Sequence, residues 1–213
     1  DYFRKNGGIV FPNPNAPTAV EMSIDKVEKI IKNNQDSVVI VDEAYVDFGA
    51  TSALKFIEKY DNVLVVRTFS KSRSAAGLRI GYAMGNEKLI SAMLAVKFSY
   101  NSYTMNFPTI YAGVEAIKDD AYFKNLVEKI ITTRENAKTK LKELGFTCTD
   151  SKTNFLFATH KSAKAEDIFN YLKTKNIYVR YFKKPRIDNY LRITIGTDDE
   201  MEKLYLALEE YLK

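Results

Sequence analysis

The sequence has one cysteine, one histidine, five prolines and nine glycines in 213 residues. The lone Cys148 has no partner in the chain for a disulfide, which suits a reducing compartment and leads us to expect a cytoplasmic protein. A zinc site needs clustered Cys and His, so no metal is expected. A hydrolase triad would have to use His160, which sits in the polar exit Ala158-Thr159-His160-Lys161 from an apolar run and reads as a surface turn residue. With 13 Phe and 14 Tyr and so little Pro and Gly, disorder is not expected. No stretch approaches the roughly 18 apolar residues of a membrane-spanning helix, and no basic, apolar, small-residue leader is present. The first residue is Asp1, not Met, so the start reads as a cut in a longer chain. Charge is not concentrated either: 32 Lys and Arg face 27 Asp and Glu, a net +5. The lysines are spread as solvated surface, with a mild bias toward small anions over nucleic acid.

What is there is ordinary globular composition, 46% hydrophobic and 28% charged, enough for one large domain or two small ones. Ile9-Val10-Phe11 is a short apolar run closed by Pro12-Asn13-Pro14-Asn15-Ala16-Pro17-Thr18, a stiff loop. Ser23 then precedes Ile24, Val27, Ile30 and Ile31 at helical spacing, with Ser23 as N-cap. Val38–Val41 and Val63–Val66 read as strands buried on both faces of a parallel sheet, with a helical stretch over 53–59 between them. A further strand over 78–84, a helix over 87–97, and a long helical region from Pro108 to Leu144 closed by Gly145 come next. Alternating strands and helices argue an α/β layer with right-handed crossovers. After Gly145 the texture is that of a small α+β unit: strands at Phe155-Leu156-Phe157, 177–180 and 191–195, a helix with Ile168, Phe169 and Leu172, and a capping box Thr197-Asp198-Asp199-Glu200 opening a last helix. We place the domain boundary inside the long helical region, with residues 1–118 in the first domain and 119–213 in the second.

Ligands of open α/β sheets bind beyond the carboxyl ends of the strands. Those ends deliver the Pro/Asn loop, Asp42-Glu43-Ala44-Tyr45, and Arg67-Thr68-Phe69-Ser70-Lys71 to one rim. Any one of these residues could be a plain ion-pair partner; the joint set is a candidate site.

With these motifs the chain resembles the fold-type I pyridoxal-phosphate aminotransferases, and among them the histidinol-phosphate group. The resemblance rests on Pro14-Asn15-Ala16-Pro17-Thr18, Val41-Asp42-Glu43-Ala44-Tyr45-Val46-Asp47-Phe48, Arg67-Thr68-Phe69-Ser70-Lys71, Ala76-Gly77-Leu78-Arg79-Ile80-Gly81-Tyr82 and Leu191-Arg192-Ile193-Thr194-Ile195-Gly196-Thr197, in the family's order and spacing. It implies the mostly parallel large-domain sheet of that fold, incomplete here, plus a small C-terminal α+β domain. The implied cofactor is pyridoxal 5′-phosphate. Lys71 would attach to its aldehyde and later carry the α-proton, Asp42 would pair with the ring nitrogen, and Tyr45 would hydrogen-bond the ring oxygen. Ser70 and Arg79 would hold the cofactor phosphate. Arg192 would take the donor's carboxylate, Arg180 the substrate phosphate, and Asn154 would support the Arg192 pocket. The family's usual Asn-Asn-Pro-Thr-Gly is here Asn15-Ala16-Pro17-Thr18-Ala19, which leaves Asn15 as the neighbour able to reach the ring oxygen.

The implied reaction converts histidinol phosphate and 2-oxoglutarate to imidazole acetol phosphate and glutamate, in histidine biosynthesis, by a homodimer. Alternatives on the same motifs are a threonine-phosphate decarboxylase or an aromatic aminotransferase. A non-catalytic α/β binding module is the alternative of another class. The family's chains carry a longer N-terminal portion with a phosphate cradle and a stacking aromatic, so these 213 residues are expected to be inactive alone.

Overall fold

The computed structural model describes residues 2–213. Two compact units divide the chain: one holds residues up to Asn15 with Glu21–Leu126, the other Ala16–Val20 with Val127–Lys213.

In the first unit the apolar runs form β1 (Ile9–Pro12), β2 (Val39–Asp42) and β3 (Val63–Thr68), all parallel, and β4 (Gly81–Gly85) pairs antiparallel with β3, in the order β1-β2-β3-β4. Helix α1 (Ile24–Lys32) makes the first crossover and buries Val27, Ile30 and Ile31 against Ile9, Phe11, Val39 and Val41. Ser23 occupies its N-cap position but its side chain makes no capping bond. The expected helix over 53–59 shrinks to a 3-10 turn, Ala53–Phe56, because so short a segment does not repay helix nucleation. The expected strand over 78–84 starts only at Gly81, since Ala76–Leu78 coils into a 3-10 turn that ends on left-handed Arg79, φ 55°.

Burial on both faces holds for β3, where Val63, Leu64 and Val65 are all buried, and for one face only on β1 and β2. Val39 and Val41 are fully buried while Ile40 between them is half-buried, and Val10 on edge strand β1 is 68% exposed. Helices α2 (Glu87–Tyr100) and α3 (Phe107–Lys118) follow β4, capped by the side chains of Asn86 and Asn106. Among its residues α2 buries none, and Val96, Phe98, Phe107 and Tyr111 are strongly exposed. The long helical region is two helices: Asp119 interrupts it, and its carboxylate accepts from Tyr122 N to open α4 (Asp120–Glu143), the ordinary competition of Asp with helix continuation. Helix α4 runs across the division between the units.

The second unit is an antiparallel sheet in the order β5-β6-β8-β7, from β5 (Phe146–Cys148), β6 (Phe155–His160), β7 (Arg180–Tyr181) and β8 (Leu191–Thr194). Leu141 of α4, Ile168 and Leu172 of α5 (Ala165–Thr174) and Leu204 and Leu208 of α6 (Asp198–Leu212) pack on Leu156 and Ile193. The capping box at Thr197 and Glu200 forms as the spacing requires. Residues 16–20 belong here through backbone: Thr149 donates its hydroxyl to Thr18 O at 2.6 Å and Lys152 N donates to Ala19 O at 2.9 Å.

His160 is not a surface turn residue. It is buried against the edge of Phe146; its Nδ1 accepts from Ser162 N and Ala163 N, and its Nε2 donates to Leu144 O at 3.1 Å. Both ring nitrogens are thus spent on backbone. Cys148 is unpaired, and burial pushes its thiol up to about 11, so it is not a nucleophile at neutral pH.

Candidate active site

The parallel ladder sets the floor of the site in the first unit. Pro12, Asp42 and Val66 stand in register at the carboxyl ends of β1, β2 and β3, and the ladder runs one step further through Asn13 N to Asp42 O and Glu43 N to Val66 O, both 2.8 Å. The segments leaving these three strands therefore emerge on one rim. Asn13 is buried and clamps Met22 with both ends of its amide, accepting from Met22 N at 2.7 Å and donating to Met22 O at 3.1 Å. This closes the Pro loop at its base and places Asn15, half-buried, on the rim.

Asp42 is half-buried. Its Oδ1 accepts from Ala44 N at 2.9 Å, and its Oδ2 has no partner among the described residues. Tyr45 precedes the 3-10 turn Val46–Phe48, which left-handed Gly49 ends at φ 103°. Lys71 Nζ lies 5.3 Å from the centroid of the Tyr45 ring and makes no ion pair among the described residues. The structure thus brings together Tyr45 and Lys71, with Asp42 at the end of β2 on the same rim.

Ser70 and Arg79 stand at the two ends of one loop, whose base is closed by bonds to Ile80. Phe69 N donates to Ile80 O at 3.0 Å and Thr68 Oγ1 to the same oxygen at 3.2 Å, while the Thr68 and Ser70 hydroxyls are 2.9 Å apart. Exposed Arg79 spends Nη1 on Ala76 O at 3.0 Å and makes no ion pair among the described residues. A hydroxyl and a forked cation at a loop base fit a phosphate dianion. The loop is seated on α3, where a Cβ at Gly113 would come 2.7 Å from Ile80 Cδ1. Arg73 adds a bond to Ala116 O and stacks on Phe123 at 4.1 Å.

Five residues to which the sequence alone assigned no role, Glu43, Asp47, Ser52, Arg67 and Ser72, hold this rim. Glu43, 2% exposed, accepts from Arg67 Nε and Nη2 at 3.0 and 2.9 Å, from Ser52 Oγ at 2.8 Å and from Ala53 N. Burial pulls the Arg67 pKa down, but the charge and hydrogen bonds of Glu43 outweigh it, and it ends raised. Ser72, also 2% exposed, donates its hydroxyl to Asp47. The available signal was charge placed against apolar runs, since buried charge requires a partner.

In the second unit Arg192 and Arg180 stand directly opposite on β8 and β7. Like charges so placed repel. Their guanidinium carbons lie 5.8 and 5.7 Å from the Phe182 ring, and Arg192 also covers Phe155 at 5.0 Å. Neither is in an ion pair among the described residues, and the buried Nε of Arg192 has no hydrogen-bond partner. Two unneutralised cations and an orphaned donor fit an anion. Asn154 precedes β6, half-buried, its carbonyl accepting from Ile195 N at 2.9 Å. Among the described residues no cluster could hold a metal ion.

Comparison with known proteins shows the family. The family model for aminotransferase class I and II matches residues 2–208. The histidinol-phosphate aminotransferase of Brachyspira hyodysenteriae is 57% identical over 203 residues, 95% of this chain and 57% of that protein. That of Clostridium acetobutylicum is 51% identical over 210 residues, 99% of this chain and 60% of that protein. Among solved structures, histidinol-phosphate aminotransferase from Sinorhizobium meliloti in complex with pyridoxal-5′-phosphate superposes with a TM-score of 0.87 at 24% identity, over 97% of this chain and 57% of that one, a likeness of fold. The chain spans about three fifths of the length of the curated relatives it matches. With the family model matching residues 2–208, nearly the whole chain, the chain belongs to the class I and II aminotransferase family.

Proposed function

We propose that this chain carries the lysine side of a pyridoxal 5′-phosphate site and the anion-binding arginines of a histidinol-phosphate aminotransferase. The reaction would exchange an amino group between histidinol phosphate and 2-oxoglutarate. The observation that carries the reading is the rim itself: a free Asp42 oxygen, Tyr45, and the Lys71 amine 5.3 Å from the Tyr45 ring. The names of relatives about half identical to this chain support it.

The residues fit the cofactor. When bound, it supplies an aldehyde and an electron-accepting pyridine ring. Asp42 Oδ2 would hold a proton on the ring nitrogen, and a carboxylate with an unspent oxygen suits that task. Tyr45 would donate to the ring oxygen, with Asn15 as a second donor. Ser70 and Arg79 would bind the phosphate. Lys71 Nζ would move the proton at the substrate α-carbon; an amine with no carboxylate partner is the one able to act as base. Arg192 would bind the donor's carboxylate and Arg180 the substrate phosphate, with Asn154 as support. We further propose residues 1–118 as part of the cofactor domain and 119–213 as connecting helix and small domain, a homodimer for the full-length protein, and a cytoplasmic setting. The exposed apolar side chains of α2 and α3 support association, and the unpaired Cys148 supports a reducing compartment.

The test is covalent. The full-length protein is reduced with borohydride in the presence of pyridoxal phosphate, digested and mapped. The pyridoxyl label is expected on Lys71, and turnover is expected with histidinol phosphate in preference to threonine phosphate or an aromatic donor. Label on another lysine with Lys71 unmodified overturns the assignment.

A further inference from the structure

The β2–β3 ladder places Asp42 but not Lys71. It ends at Glu43 N to Val66 O. Beyond that point β3 continues with β4, Arg67 opposite Tyr82 and Thr68 opposite Gly81, while the chain after β2 turns away into the 3-10 turn Val46–Phe48. The sheet therefore stops short of Tyr45 and Lys71. Two side-chain links bridge the gap. Glu43 ties the residue after Asp42 to Arg67, on the sheet side. Asp47, two residues after Tyr45, accepts from the hydroxyl of Ser72, the residue after Lys71, at 2.5 Å. Ser72 is 2% exposed, so its one donor is committed to a carboxylate rather than to water.

We propose that Asp47, acting through Ser72, is a positioning residue that sets Lys71 against Tyr45. The proposal rests on the proposed function, in which Lys71 and Tyr45 touch the cofactor. The Lys71 side chain is long and its amine has no ion-pair partner among the described residues, so the placement of its backbone limits where the amine can stand. A hydrogen bond one residue away constrains that backbone directly. The same bond anchors the turn that begins at Tyr45. Releasing it lets the two loops shift independently, and a misplacement of about 1 Å costs on the order of a hundredfold in rate.

The experiment uses the full-length protein loaded with pyridoxal phosphate, as parent, Ser72→Ala, Asp47→Ala, the double alanine variant and Asp47→Asn. Borohydride labelling of the parent is mapped first; label away from Lys71 sinks the proposed function. With the label on Lys71, two quantities are read: the pH midpoint of the visible band of the lysine-bound cofactor, and kcat against KM. Each alanine variant should move the midpoint and lower kcat by about ten- to a hundredfold with little change in KM. The double variant should be no worse than either single one, because both cut the same link. Asp47→Asn keeps an acceptor oxygen and should recover most of the loss. A purely structural bond would lower the melting temperature and leave the midpoint and kcat of folded protein at parental values; that result, or losses that multiply in the double variant, overturns the proposal. Should Asp47→Ala fail to fold, Ser72→Ala, which deletes one hydroxyl, decides by the same midpoint and kcat.

Discussion

Replacing Glu43 by glutamine removes a charge that the fold has enclosed on every side. The Glu43 side chain is 1% exposed and that of Arg67 19%. The carboxylate accepts both Arg67 donors, the Ser52 hydroxyl and the Ala53 amide. An amide in its place offers one acceptor oxygen and turns an NH2 group toward donors. The Arg67 cation, held charged by Glu43, is then left without its counter-ion. Breaking one half of a buried pair costs about 3–5 kcal/mol. Arg67 keeps some water, so the lower end applies, about 3 kcal/mol. Against a total stability of roughly 5–15 kcal/mol this is a large loss. For a domain of roughly 150–250 residues it lowers the melting temperature by about 6–12 °C. The assay is urea and thermal unfolding of the full-length protein as parent, Glu43→Gln, Arg67→Met and the double variant. The double variant should be less destabilised than the two single losses added together, because replacing both charges removes the orphaned cation. A Glu43→Gln loss below about 1 kcal/mol, or strict additivity in the cycle, would refute the reasoning.

Three further outcomes are expected. Asp42→Asn should retain cofactor but lower transamination by about two or more decades, at about 1.4 kcal/mol of barrier per decade; near-normal turnover would make Asp42 structural. Arg180→Ala and Arg192→Ala should each raise KM for the phosphorylated donor or for glutamate by roughly ten- to a hundredfold, the worth of a charge-assisted hydrogen bond; unchanged KM for both substrates would leave the facing arginines without an anion to hold. The 213 residues alone should show no turnover with histidinol phosphate and 2-oxoglutarate and should self-associate in light scattering through Phe98, Phe107 and Tyr111, which stand exposed on α2 and α3; robust turnover by a monomer would show that the site is complete without further chain.

How much of the fold and the site was legible depends on the range of the forces involved. The apolar runs at Val38–Val41 and Val63–Val66 become adjacent strands because desolvation drives them inward wherever they lie. The capping box at Thr197 and Glu200 forms because it closes within one turn. The helix break at Asp119 was missed because apolar spacing continues through it, and only the choice of the Asp119 carboxylate to cap α4 ends the first helix. His160 was misread because its burial depends on Leu144 and Phe146, brought to it by the pairing of β5 with β6. Asp42, Tyr45 and Lys71 could be singled out by position after apolar runs. Asn13, Glu43, Asp47 and Ser72 could not, since each is defined by a partner from 9 to 25 residues away.

By itself the sequence determined the three parallel strands and the amphipathic helices that cover apolar surface, the rim on which three strand ends must deliver their side chains, and the family motifs, because hydrophobic period and capping are local and strand polarity is set by right-handed crossovers. Only the tertiary structure decided which charges neutralise each other and which remain free. Glu43 and Arg67 are consumed by one another, and Asp47 is bound to Ser72. Asp42 keeps an unspent oxygen, and Arg192 faces Arg180 with a buried donor unmet. Composition counts charges, but pairing depends on distances set by strand register and loop closure, and an ion's energy changes severalfold with the burial those distances impose.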